Sequence, residues 1–254
     1  MCGRYASTRA RQELLDEFQV ELDASEDAIE PDYNVAPTKS VPAIITRAPK
    51  GEEGDDETPP PVRTLRTIRW GLVPSWAKDP KIGSRMINAR IETVHEKPAY
   101  RRAFARRRCL LPADGFYEWY EIEVPEKKPR KQPFFIRPRD GGLMAMAGLY
   151  ELWRDPEGEW LWTCTVITTA ATDEVGRIHD RMPMIVEPKL WPAWLDPAVT
   201  ETDEVRRLLE PAMAGRMEAY PVSVAVNNVR NNGPSLVEPL PDGDISGEYG
   251  ARLL

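Results

Sequence analysis

The stretch CLLPADGFYEWYEIEV, residues 109–124, decides the fold. An apolar run from Cys109 to Ala113 meets the pair Asp114-Gly115, and an alternating aromatic run follows through Phe116, Tyr117, Glu118, Trp119 and Tyr120. Two strands about an Asp-Gly turn are the expectation, since this pair readily adopts the backbone angles of a tight hairpin. Outward from it, strand patterns recur in QPFFIRP (132–138), LMAMAGLYELW (143–153) and WLWTCTVITTAA (160–171), and upstream in VPAIIT (41–46) and VRTLRTIRWGLV (62–73). Helical patterns are fewer. TRARQELLDEFQV (8–20) sets Leu14, Leu15 and Phe18 on one face, with Thr8 as its cap. KPAYRRAFARRR (97–108), WPAWL (191–195) and TDEVRRLLEP (202–211) are the others. Many short strands with few helices predict a single α+β domain, residues 1–238, on a twisted, mainly antiparallel, barrel-like sheet. A loosely held tail, 239–254, would follow.

The net charge of −7 argues against indiscriminate electrostatic binding to nucleic acid, although a local basic cleft remains open. Much of the acidity is local: KGEEGDDETPPP (Lys50–Pro61) holds five acids and one lysine, and 49–61 reads as an exposed loop. YRRAFARRR (100–108) is the densest basic run. It reads either as a nucleic-acid patch or as a solvated helix face with Tyr100 and Phe104 turned inward, and the second is the simpler reading. No apolar run approaches the roughly 18 to 20 residues of a membrane span, and no secretory profile opens the chain, so a cytoplasmic protein is expected. Three cysteines (Cys2, Cys109, Cys164) and two histidines (His95, His179) show no metal-ligand spacing, so neither a metal nor another cofactor is expected.

Several strings carry chemistry. Loss of Met1 from MCGRYA would put a thiol and an α-amine on one residue, Cys2, with ordinary pKa values of about 8.5 and about 7.7 to 8.0. The thiolate could attack an acyl group with the amine as base, or the amine could condense with an aldehyde and the thiol close a five-membered ring. Asn88 and Arg90, two apart in MINARIET, share a face of a strand and suit phosphate or sugar recognition. Glu118 among aromatics could carry a raised pKa, as a general acid or base needs, or could simply face solvent. His179, in IHDRMPMIV, stands beside Asp180 and Arg181, whereas His95 lies in a polar stretch and reads as a surface residue. A histidine at a helix C-terminus is also a common structural arrangement. RWGLVPSW (69–76) offers indoles that could stack on bases or pack in the core.

Taken in order, MCGRYA, YNVAPT, RWGLVPSW, INARIET, CLLPADGFYEW, QPFFI, AGLYELW, CTVITTAA and IHDRMPMIV closely resemble the SOS response-associated peptidase (SRAP) family, from Cys2 to about Asn232. The resemblance implies an abasic-site processing protein acting in the DNA damage response. Its substrate would be single-stranded DNA carrying an abasic site, and the Cys2 amine and thiol would close a thiazolidine on the ring-opened sugar. Cys2, Asn88, Glu118 and His179 would form the catalytic set. Arg4, Asn34, Pro37, Trp70, Gly71, Trp76, Arg85, Arg90 and Arg181 would contact DNA. Self-removal of Met1, a peptidase or hydrolase assignment and an abasic-site lyase activity are compatible with it, as is a monomer that joins the nucleoid when engaged on DNA. Two rival readings remain: an N-terminal-nucleophile glutamine amidotransferase, which also begins with Met-Cys-Gly, and a non-covalent single-stranded DNA-binding module.

Overall fold

The computed structural model describes residues 2–26, 28–48, 59–122, 129–209 and 215–241. Met1, ten residues of the acidic loop (49–58) and the tail from 242 onward lie outside these.

In chain order, β1 (Tyr5–Ser7), α1 (Arg11–Glu17), β2 (Leu22–Asp23), β3 (Asp32–Val35), β4 (Ser40–Arg47) and β5 (Val62–Trp70) come first. Next are β6 (Asn88–Arg90), α2 (Arg101–Arg106), β7 (Arg108–Ala113), β8 (Gly115–Ile122), β9 (Arg130–Pro138), β10 (Met144–Arg154) and β11 (Trp160–Ala170). The last are α3 (Asp173–Ile178), β12 (Arg181–Pro183), α4 (Trp191–Leu195), α5 (Thr202–Arg207) and β13 (Met217–Pro221). The strands form two sheets. The smaller runs β13-β9-β8-β1-β3 and the larger β12-β11-β10-β7-β4-β5-β2, with β6 added on β11. A short parallel pairing of β5 with β11, Thr163 opposite Arg69 and Cys164 opposite Trp70, closes five strands of the larger sheet into a barrel. This is the expected α+β, mainly antiparallel, barrel-like architecture.

Alternation along the barrel strands explains the layering. Ile44, Leu110, Ala145, Ala147 and Leu149 pack with Leu14 and Phe18 of α1, Phe104 of α2 and Trp194 of α4. Their neighbours Val41, Ala43, Ile45, Cys109, Leu111, Met144 and Met146 pack with Tyr5, Val35, Phe116 and Ile136 of the smaller sheet. A third cluster, with Ala6, Tyr117, Phe135, Val222, Val226 and Leu236, covers the other face of that sheet. Strand β1 and the first half of β8, through Glu118, are therefore buried on both faces.

The Asp114-Gly115 pair does not make a hairpin. β7 belongs to the larger sheet and β8 to the smaller, so this point is a crossover between sheets. Gly115 does not have the positive φ of a tight hairpin turn. It is small because a Cβ there would lie 2.4 Å from the Phe135 ring and 2.7 Å from the Ile136 carbonyl oxygen. Asp114 ties the corner down, accepting hydrogen bonds from the Thr8 amide (2.6 Å), the Thr8 hydroxyl (2.8 Å) and Arg9 Nε (3.1 Å). Thr8 is thus spent on Asp114 and does not cap α1. The cap position is Ala10, whose amide donates to the Glu13 carboxylate at 2.8 Å.

Arg108, at the end of the basic run, is buried. Its Nε donates to the Trp194 carbonyl (2.6 Å), Nη1 to those of Phe104 and Ala105, and Nη2 to those of Asp196 and Val199. Burial pulls its pKa down to about 10.

Gly115→Ala should destabilise the protein by about 1–3 kcal/mol through overpacking, read as a lower urea midpoint. An unchanged midpoint would remove the close-approach explanation for this glycine.

Candidate active site

β1 carries the start of the chain into the middle of a sheet. Tyr5 is registered with Phe116 and Ala6 with Gly115, and the Tyr117 amide donates to the Arg4 carbonyl at 2.9 Å. On the other side Tyr5 pairs with Val35 of β3. The N-terminal residues are thereby held along β8, the strand that bears Glu118. Cys2 is fully buried. Asn88, brought in by the parallel pairing of β6 with β11, donates from Nδ2 to the Cys2 carbonyl at 2.7 Å. Tyr100, preceding α2, donates its hydroxyl to the Asn88 carbonyl at 3.3 Å and so steadies that strand.

Glu118 does not face solvent: it is 3 % exposed. Desolvation raises its pKa above the ordinary carboxylate range, and the positive charge of the chain's amino terminus only partly offsets this. The Cys2 thiol is pushed well up, first by burial and then by the negative charge of Glu118. The thiol thus resists ionisation through its burial and its neighbour's charge, and the carboxyl through its burial.

His179 follows α3, as its helix-end reading anticipates, yet it also faces the site. It lines a cleft of about 750 Å³ together with Arg4, Glu118, Trp119, Tyr120 and Asn227. The Arg181 amide donates to His179 Nδ1 at 3.0 Å, which in the neutral ring places the proton on Nε2. Asp180 Oδ1 lies 3.0 Å from the same Nδ1, so protonation of the ring would exchange that acceptor role for an ion pair with Asp180.

The expected DNA contacts divide. Trp76 is 61 % exposed, Arg85 and Arg90 are exposed, and Pro37 is half-buried in the turn after β3. Arg4 lines the cleft while its Nη1 donates to Asn34 Oδ1 (2.7 Å) and to the Val226 carbonyl (2.8 Å). Three others lie buried and bonded or packed within the fold. Asn34 is fully buried, and its Nδ2 donates to the carbonyls of Val226, Asn228 and Asn231. Trp70 is fully buried, edge-on to Tyr5, with its indole N–H on the Ile87 carbonyl. Gly71, buried with φ +125°, exists for a close approach: a Cβ there would lie 2.7 Å from the Gly83 carbonyl oxygen. Arg181 is committed to a two-pronged ion pair with Glu92 (2.7 and 3.0 Å) and to the Thr168 carbonyl (2.7 Å). His95 is half-buried against Glu96 rather than freely exposed.

A family model described as SOS response associated peptidase (SRAP) matches residues 1–229. The chain belongs to the SRAP family. It is 41% identical over 238 residues to the abasic site processing protein YoqW of Bacillus subtilis, covering 94% of this chain and 99% of that one. It is 36% identical to the abasic site processing protein HMCES of Gallus gallus over 83% of this chain and 66% of that protein. A crystal structure of a Bacteroides thetaiotaomicron protein shares the fold with a TM-score of 0.77 at 24% identity, over 94% of this chain and 100% of that one. In this SRAP member the cleft also uses Trp119, Tyr120, Lys131 and Asn227, which sequence reasoning did not assign to the site. Trp119 was legible as Glu118's neighbour. Its indole N–H bond to Asn227 Oδ1 (2.7 Å) joins residues 108 positions apart, and no local pattern reports that.

Glu118→Gln should raise the melting temperature at neutral pH, because the native state alone bears the cost of ionising a buried carboxyl there. The sign follows from the raised pKa: the wild type loses stability as pH rises from the ordinary glutamate value, about 4.3, through the higher folded-state value. The advantage of Gln should therefore close as the pH falls below about 4.3. Melting curves across pH that stay parallel would contradict the buried-acid reading.

Proposed function

We propose that this chain processes abasic sites in single-stranded DNA, capturing the ring-opened sugar covalently through Cys2 once Met1 is removed. The observation that carries this reading is the seating of Cys2, its carbonyl held by Asn88 and its thiol beside a protonatable, buried Glu118. The names of the relatives supply the substrate class, and the chemistry of an N-terminal cysteine supplies the reaction. The Cys2 amine adds to the C1′ aldehyde carbon to give a carbinolamine. Glu118, in its neutral form, donates a proton to the departing hydroxyl, so water leaves and a C=N bond forms. The thiol sulfur then bonds to that carbon, its proton passes to Glu118, and the ring nitrogen ends as a secondary amine. The sum is amine, thiol and aldehyde giving thiazolidine and one water.

The raised thiol pKa favours this order over a thiolate-first attack. An amidotransferase would need the thiolate at the outset, and a buried thiol beside a carboxyl group is poorly placed to supply it. His179, with Nε2 carrying the proton, would act on the opened sugar's hydroxyl. Asn88 would orient the lesion, Trp76 would pack on a neighbouring base, and Arg85 and Arg90 would take flanking phosphates. Removal of Met1 would be self-catalysed, the working unit a monomer that meets its substrate in the cytoplasm.

With single-stranded DNA carrying one abasic site, the processed protein should give a band that survives denaturing electrophoresis, and Cys2→Ala should give none. Cys2→Ser retains the amine but not the thiol. It should yield a link only after borohydride reduction of the imine. A stable band from Cys2→Ala would refute the chemistry, and a wild type with intact-mass-verified loss of Met1 that gives no band would refute covalent capture itself.

A further inference from the structure

The basic run at 101–107 is left unused by this chemistry. On a chain of net charge −7, α2 presents Arg101, Arg102 and Arg106 to solvent. They line a hollow of about 460 Å³ with His95 and Arg107. Arg102 and Arg107 also line a second, larger hollow of about 830 Å³, together with Trp160. The two hollows adjoin at these residues. Trp160 is 58 % exposed, with Arg154 5.5 Å from its ring centroid. Within the larger hollow Trp162 packs against Arg66 at 4.2 Å and against Tyr150. Neither hollow shares a lining residue with the cleft that holds Glu118 and His179.

The acids facing these arginines are few. Glu151 is paired with Arg107 at 2.6 Å, Glu26 with Arg66 at 2.8 Å, and Glu96 with His95 at 3.4 Å. α5, which packs on α2, adds Asp203 and Glu204 in its first turn. Arg47 also lines the larger hollow, 5.3 Å from the Trp162 ring centroid.

We infer that these adjoining hollows are a second nucleic-acid contact, in which the arginines of α2 hold phosphates of the unpaired strand and Trp160 stacks one of its bases. The inference rests on the proposed action on single-stranded DNA. Its argument is charge and chemical complementarity: exposed guanidiniums on one helix, with an adjoining hollow that carries an exposed indole and a cation beside it, match a flexible polyanion whose bases are free to stack. The position fits a strand continuing away from the lesion. Tyr100, immediately before α2, touches Asn88 in the active site. Along β11, Trp160 stands six residues from Val166, the register partner of Asn88, about 20 Å at the usual rise per residue. A strand seated in both places would be gripped on either side of Tyr100.

The test separates binding from chemistry. Lesion-free single-stranded oligothymidylates of increasing length are titrated by fluorescence anisotropy at several salt concentrations. The proteins compared are the wild type, the combined variant Arg101→Glu, Arg102→Glu and Arg106→Glu, and Trp160→Ala. In parallel, all are assayed for crosslinking to a short oligonucleotide with few residues flanking its abasic site. Wild-type affinity should rise with length beyond what fills the active-site cleft. The charge variant should lose at least tenfold on the long oligonucleotide, and its salt slope should fall by about 2, as expected for three lost single-strand phosphate contacts. Trp160→Ala should lose affinity without a change of salt slope. Both should crosslink the short substrate like the wild type. Variants that bind the long oligonucleotide with wild-type affinity and slope would overturn the second contact. Absence of crosslinking in the wild type would instead count against the proposed function and leave the length and salt data to judge the second contact.

Discussion

The site depends on one insertion: three residues of β1 lie between β3 and β8 in the middle of the smaller sheet. Chain ends ordinarily fray unless something ties them down. Here Tyr5 is buried toward the barrel and Ala6 toward the C-terminal cover, so both faces of the first strand are fixed by packing, while its edges are fixed by ladder hydrogen bonds. The register that pairs Tyr5 with Phe116 brings Cys2 alongside the stretch of β8 that carries Glu118. A shift by one residue would turn every side chain of the strand to the wrong face. Cys2 is therefore positioned by a strand paired on both edges and buried on both faces, and not by a surface loop.

Arginine serves this fold as an internal brace as often as a surface charge. Arg108 satisfies five carbonyls at the ends of α2 and around α4, groups that would otherwise be buried without partners. Arg4 and Asn34 together tie the N-terminal segment to the carbonyls that follow Val226. Arg181 joins Glu92, after β6, to Thr168 on β11, and its own amide fixes the His179 ring. Net charge says little about such residues. Their guanidiniums are used for geometry, because a planar fork of donors can bridge elements that are far apart in sequence.

The strands and the main helices were legible because alternation and helical spacing are local properties. Residues 41–46 and 143–153 could be read as strands without knowing their neighbours, and Phe104 was correctly turned inward. The choice of partner was not legible. Asp114-Gly115 carries the same two letters whether the chain folds back on itself or crosses between sheets. What separates the cases is the proximity of Phe135, twenty residues on. Asn34, Trp70 and Gly71 read as DNA contacts by resemblance, yet they stand in motifs that also build the walls of the site. A recurring string does not distinguish a residue that touches a ligand from one that holds its neighbour in place. Asn34 illustrates this: its partners come from 226–231, at the other end of the chain. Glu118 was the harder case, since an alternating strand with one polar position ordinarily exposes it. Only a strand covered on both faces buries that position.

That double coverage also bears on the order of the chemistry. Burial makes both the Glu118 carboxyl and the Cys2 thiol harder to ionise, and a negative charge on Glu118 makes the thiol harder still. Such a pair is poor at generating a nucleophilic anion from the resting state. It is well suited to passing a proton once a cation appears beside it. In the proposed reaction, an iminium at the Cys2 nitrogen would supply that cation: its positive charge would lower the cost of the thiolate and the carboxylate together, by the same Coulomb interaction that a neighbouring ammonium exerts on a buried acid. The thiol would then become reactive only after the amine has bonded to carbon, so the sulfur would remain protonated against oxidants and stray electrophiles until a substrate is attached. Burial, which looks like an obstacle to a nucleophile, would in the proposed reaction make the second bond conditional on the first.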